Sequence, residues 1–199
     1  MWSFQKIFFI SLFAAAVRIW FMYRDSPRPH HHKRAMILLG SGGHTGEMLR
    51  IFHHIRNFPH ITWVITIGDS LSLEKLAEHH HTDDVIEIPR ARYVGQPYSS
   101  AINSSLVCLA ACLSVIYNDN PDVLITNGPG SSVMLCYAAL LLRFFGLVRT
   151  RIIYIESFAR VNELSLTGRL LYPAADDFLV QWPQLHERYP NTRYTGHLI

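Results

Sequence analysis

The chain has 199 residues, 49% hydrophobic and 17% charged, with a formal net charge of +3. That is long enough for one sizeable core and too apolar for a disordered chain. Much of the positive charge gathers at Arg24, Arg28, Lys33 and Arg34. No basic stripe interleaved with aromatics runs through the body, which argues against a nucleic-acid-binding face.

Residues 4–23 read FQKIFFISLFAAAVRIWFMY. A helix needs about 20 apolar residues to span a bilayer. This segment reaches that length if Lys6 and Arg18 snorkel towards the two surfaces, with Trp2, Trp20 and Tyr23 in the aromatic belts. Residues 1–23 are therefore read as a membrane anchor, with an interfacial helix or a cleaved signal peptide as alternatives. Residues 24–34 form a basic linker stiffened by Pro27 and Pro29. Its charge places residues 35–199 on the cytosolic side by the positive-inside rule.

From residue 35 short apolar strands alternate with helical segments. Strands are expected at 35–39, 61–67, 84–88, 122–126, 151–155 and 177–181. Helices are expected at 45–57, 71–80, 99–117, 131–145 and 164–172, followed by a short C-terminal stretch. Strands apolar on both faces, separated by helices, mean a Rossmann-like parallel sheet flanked by helices, with strand order 3-2-1-4-5-6. The helix at 131–145 is apolar nearly all round and is expected to lie against the sheet or a membrane surface; 106–117 is similar. Cys108, Cys112 and Cys136 lack a matching pair at zinc-like spacing and read as buried apolar residues. His30-His31-His32 and His79-His80-His81 read as solvated stretches. No metal and no cofactor are expected.

Three loops leave the carboxyl edge of the expected sheet, where ligands bind in such folds. The first is Gly40-Ser41-Gly42-Gly43-His44-Thr45-Gly46. Its glycines let backbone approach a ligand, the following helix start offers N–H groups to an anion, and His44 is placed to act as a general base. The second, Thr126-Asn127-Gly128-Pro129-Gly130, is another small-residue turn into a helix. The third, Ile155-Glu156-Ser157, sets a carboxylate just after strand five. Gly40-x-Gly42 also begins a dinucleotide fingerprint, with Asp69 after strand two as a ribose contact. However, Thr45 holds the third glycine position. A self-contained, membrane-tethered nucleotide enzyme and a pure scaffold both stay open on these residues.

The run Gly40-Ser41-Gly42-Gly43-His44-Thr45-Gly46-Glu47-Met48-Leu49 resembles the anchor subunit of the eukaryotic dolichol-linked UDP-N-acetylglucosamine transferase. So do Thr126-Asn127-Gly128-Pro129-Gly130, Tyr154-Ile155-Glu156-Ser157, Ser165-Leu166-Thr167-Gly168-Arg169-Leu170-Leu171-Tyr172-Pro173, and the stretch Tyr194-x-Gly196-x-Leu198-Ile199. The resemblance implies the acceptor-side half of a GT-B fold. It also implies a separate catalytic partner that binds UDP-GlcNAc, and addition of the second GlcNAc to dolichyl-diphosphate-GlcNAc at the cytosolic face of the endoplasmic reticulum. The preceding GlcNAc-phosphate transferase and the following mannosyltransferase are further implied partners. The glycine turn is similar to that of the bacterial transferase that makes lipid II, with His44 at its turn histidine. The candidate site is then His44 and Glu156 for catalysis, and Gly42, Gly43, Thr45, Asn127, Gly128 and Gly130 for the acceptor phosphates. Tyr194, Gly196, Leu198 and Ile199 are the candidates for partner docking.

Overall fold

The computed structural model describes residues 34–54, 58–78, 84–93 and 95–198, together with residues 8, 12, 16, 17 and 19, which are helical. The rest of the expected anchor, the basic linker before Arg34, both histidine runs and Ile199 lie outside the described residues.

In chain order the elements are β1 (Arg34–Leu38), α1 (Gly43–His54), β2 (His60–Thr66), α2 (Ser70–Glu78), β3 (Val85–Ile88) and α3 (Tyr98–Asp119). They continue with β4 (Val123–Asn127), α4 (Gly130–Phe144), β5 (Arg151–Ile155), α5 (Leu166–Leu171), β6 (Asp177–Val180), α6 (Pro183–Arg188) and β7 (Arg193–Tyr194). Every neighbouring pair is parallel, in the order β3-β2-β1-β4-β5-β6-β7. The expected six-strand order is present, and β7 extends it at one edge.

The apolar strands serve two cores because successive side chains point to opposite faces. Met36 and Leu38 of β1 join Val64, Leu124, Ile152 and Phe178 beneath α3, α4, α5 and α6. Ala35, Ile37 and Leu39 join Trp63, Ile65 and Ile125 beneath α1 and α2. Each fully buried Met, Ile or Leu contributes roughly 1.5–3 kcal/mol, so β1 alone organises both layers. Phe52 of α1 meets Trp63 of β2 edge to face, with centroids 5.0 Å apart.

Two differences from the sequence expectation matter. The short stretch expected after strand six carries two further elements. Residues after Val180 form α6, opened by Pro183 at a first-turn position, and then β7, which pairs with Leu179 and Val180. Leu198 then packs back against the α1 and α2 core. The two long apolar helices also differ from one another. Most of α4 is buried, including Arg143, which is paired with Asp176 and donates to the Thr150 carbonyl at 3.2 Å. By contrast α3 leaves Ile102, Leu106, Val107 and Tyr117 exposed. Its Ser100–Asp119 stretch has a mean hydropathy of 1.7 and is, among the described residues, the one helix long and apolar enough to cross a membrane. All three cysteines are free and buried.

Candidate functional site

The strand order reverses between β1 and β4, so the turns leaving these two strands face each other. They are fitted together atom by atom. A Cβ on Gly40 would stand 2.7 Å from Cγ and 2.9 Å from Cδ of Pro129. Gly128 has φ +56° and lies under the imidazole of His44, so closely that any Cβ there would overlap the ring. Asn127 at the end of β4 donates from Nδ2 to the His44 carbonyl at 3.0 Å. Its Oδ1 is buried without a hydrogen-bond partner.

Beside these turns opens a cleft of about 400 Å³. One side is Gly40, Ser41 and His44, another is Pro129, Gly130 and Ser131. The ends of β2 and β3 add Thr66, Arg90, Arg92, Tyr93 and Gly95. The helix α4 begins at Gly130 without a side-chain cap and without an acidic residue in its first turn. An uncapped helix start carries partial positive charge and free N–H groups. Arg90 adds a full charge, and its guanidinium bonds the carbonyls of Ile67 and Gly68. Sequence reasoning missed both arginines. Their signal was present in Pro89-Arg90-Ala91-Arg92, directly after strand three at the ligand-binding edge.

The residues singled out from sequence divide into three groups. His44 and Gly130 line the cleft, and Gly42 and Gly43 are exposed at the start of α1, Gly42 with φ +72°. Thr45 and Asn127 are wholly buried. The Thr45 hydroxyl donates to the Gly40 carbonyl and meets Ser72 Oγ at 2.6 Å, so it braces the turn from behind. Asp69 is buried as well, accepting from the Ser72 hydroxyl at 2.6 Å and the Ser72 N–H at 3.3 Å. It caps α2, and its carboxylate does not reach out as a ribose contact would.

Glu156 is not brought to the cleft. It is fully buried, with Oε1 accepting from the Ser157 N–H at 3.1 Å and Oε2 from the Ser165 N–H and hydroxyl at 3.0 and 3.1 Å. Gly168 leaves the room this carboxylate occupies. Burial pushes the Glu156 carboxyl above its ordinary range, against the hydrogen bonds from Ser165 and Ser157.

A second carboxylate, which sequence reasoning did not single out, does face His44. Glu47 lies one turn further along α1, its Oε2 3.8 Å from His44 Nδ1. Its Oε1 accepts from the Phe158 N–H at 2.6 Å and from Gln181 Nε2 at 3.0 Å. Burial alone would raise the Glu47 carboxyl. The nearby His44 ring and the groups at Phe158, Ser157 and Gln181 outweigh it and hold the group below its ordinary value.

The fold defines a class: a Rossmann-like α/β domain whose parallel sheet flanked by helices is GT-B-like. The fold is shared with MurG of Acinetobacter baumannii at a TM-score of 0.59 and 15% identity, over 76% of this chain and 42% of that one. A UDP-N-acetylglucosamine 2-epimerase also gives a TM-score of 0.59, at 13% identity over 80% of this chain and 45% of its own. The chain thus spans less than half the length of either structure. The chain belongs to the family described as "Oligosaccharide biosynthesis protein Alg14 like", which matches residues 35–198. It is 46% identical over 194 residues to the protein named UDP-N-acetylglucosamine transferase subunit ALG14 of Yarrowia lipolytica, covering 93% of this chain and 88% of that one. The human protein of the same name is 34% identical over 197 residues, covering 92% and 91%.

Proposed function

We propose that this chain is the acceptor-side subunit of a two-chain transferase that adds the second GlcNAc to dolichyl-diphosphate-GlcNAc. Residues 1–23 hold it at the endoplasmic reticulum membrane with residues 35–199 in the cytosol, and a separate chain binds UDP-GlcNAc. One observation carries the reading. Two interlocked turns set a histidine, a helix start and two arginines around one cleft, in a domain whose relatives of nearly equal length are named transferase subunits. The exposed apolar side chains of α3 support a membrane-facing placement.

In this reading the lipid diphosphate lies at the start of α4, against Gly130 and Ser131, with Arg90 and Arg92 opposite its charge. Gly42 and Gly43 let the start of α1 approach the same group. The acceptor sugar hydroxyl meets Nε2 of His44. Its oxygen bonds to the anomeric carbon of UDP-GlcNAc, its proton passes to His44, and UDP leaves with the electron pair of the broken bond. Thr45, Asn127, Gly128 and Glu156 act as positioning residues behind the two turns and the β5 loop. Tyr194, Gly196, Leu198 and Ile199 form the segment proposed to dock the partner.

The deciding assay mixes the purified chain, UDP-GlcNAc and a lipid-diphosphate-GlcNAc acceptor, with and without the partner chain. Transfer only in the presence of both chains is expected. Transfer by this chain alone would overturn the proposal.

A further inference from the structure

The carboxylate of Glu47 sits between the candidate base and the last described segment of the chain. On one side, Oε2 faces His44 Nδ1 at 3.8 Å, an ion-pair separation that a shift of about 1 Å closes to hydrogen-bond length. On the other, Oε1 takes the Phe158 N–H and Gln181 Nε2. Gln181 is itself 1% exposed. Its Nε2 also reaches the Glu156 carbonyl at 3.2 Å, and its Oε1 accepts the Leu198 N–H at 3.0 Å. Around this join Phe158, Trp182 and His197 pack ring to ring, with centroids 4.8–5.2 Å apart. Trp182 Nε1 bonds the Phe158 carbonyl at 2.7 Å. No rotation of Gln181 exchanges its two ends without facing like against like: its N–H group has two acceptors and its oxygen has a donor.

We infer that Glu47 is the positioning residue of His44, and that Gln181 ties that carboxylate to the segment 195–198, so that the order of this segment and the orientation of the imidazole are coupled. The chemistry follows from the donor count. A carboxylate can only accept, so once that gap closes the neutral His44 ring carries its proton on Nδ1. Nε2 is then left as a bare lone pair, the form a base needs. The role of that lone pair in transfer rests on the function proposed above; the tautomer and the coupling do not.

Glu47→Gln tests this with little change of shape. The Phe158 N–H and Gln181 Nε2 both donate, so the new amide must keep its oxygen towards them and turn its NH₂ to His44. That donor reverses the tautomer, moving the ring proton to Nε2. The measurement is ¹⁵N NMR of the imidazoles in the full chain in detergent, with the His44 signals identified by their loss in His44→Gln. Wild type is expected to show Nδ1–H, Glu47→Gln to show Nε2–H, and Gln181→Met a mixture. In the two-chain assay, Glu47→Gln is expected to lower kcat at least tenfold with acceptor KM within about twofold.

An Nε2–H tautomer in the wild type would overturn the assignment without any variant. So would a wild-type spectrum in a folded Glu47→Gln protein. A wild-type spectrum in Gln181→Met would sever the link to residues 195–198. If the spectra behave as expected and the two chains together transfer nothing, the proposed function fails and the positioning role stands.

Discussion

The imidazole of His44 occupies the space that a side chain at Gly128 would need, and the backbone of Gly128, at φ +56°, is in the left-handed region. Two residues 84 positions apart therefore form a single fitting, in which one turn has no side chain so that the other can place its ring. Gly128→Ala strains the backbone by about 1–2 kcal/mol and displaces the ring besides. The expected result is a folded protein with a lower thermal midpoint and a transfer rate down by about 10²-fold, since an ångström of misplacement costs that much. Unchanged kinetics would show that the position of the ring does not matter to the reaction.

His44→Ala removes the ring and leaves the fitting vacant. If His44 takes the acceptor proton, kcat falls by about 10²–10⁴-fold while co-purification with the partner chain is unaffected. Turnover at the wild-type level would remove the base from the mechanism and leave the turn an acceptor-binding role.

Arg90 reaches the cleft from the end of β3 and has no carboxylate partner among the described residues. Hydrogen bonds to charged groups are worth about 1.5–3 kcal/mol, so Arg90→Ala should raise the acceptor KM by about 10–100-fold with a small change in kcat. The effect should shrink as salt is raised, because the cleft is open to solvent. A defect confined to the UDP-GlcNAc KM would place the diphosphate elsewhere.

Glu47 also leaves a mark on stability. Its carboxyl lies below its reference value of 4.5 in the folded protein. The native state therefore favours the ionised form, and the contribution is fully present above pH about 4.5 and lost as pH falls through the depressed folded value. Denaturant unfolding across pH should show wild type more stable than Glu47→Gln at neutral pH, with the gap closing on the acid side. Glu156 has the opposite sign: its raised carboxyl contributes stability below the ordinary carboxylate range that is lost as pH rises through the folded value. A gap between wild type and Glu47→Gln that widens on acidification would contradict the assignment.

What could be read in advance follows from how local each signal is. β1 was legible because a run of apolar residues ends at Gly40, and β4 because Val123–Asn127 ends at Gly128 and Pro129. The order 3-2-1-4-5-6 followed from the alternation of strand and helix. β7 was not legible: Arg193 and Tyr194 are both exposed, so no alternation marks them, and their pairing depends on β6 being in place. Glu156 was recognised as a carboxylate after strand five, but its direction was not. Ile155 faces the α1 side, so Glu156 follows Tyr154 to the other side, where the start of α5 encloses it. Glu47 lay in plain view within the glycine motif. Its meaning comes from Gln181, 134 residues away, and no local pattern carries that.

That separation also sets an order of events during synthesis. A chain grows at about 5–20 residues per second, so Glu47 exists for on the order of ten seconds before Gln181 is made. Until Phe158 is made, 111 residues after Glu47, α1 carries an acceptor with neither of its distant donors in existence. The α1 side of the sheet therefore gains the last of these bonds only once β6 and Gln181 directly after it have been made.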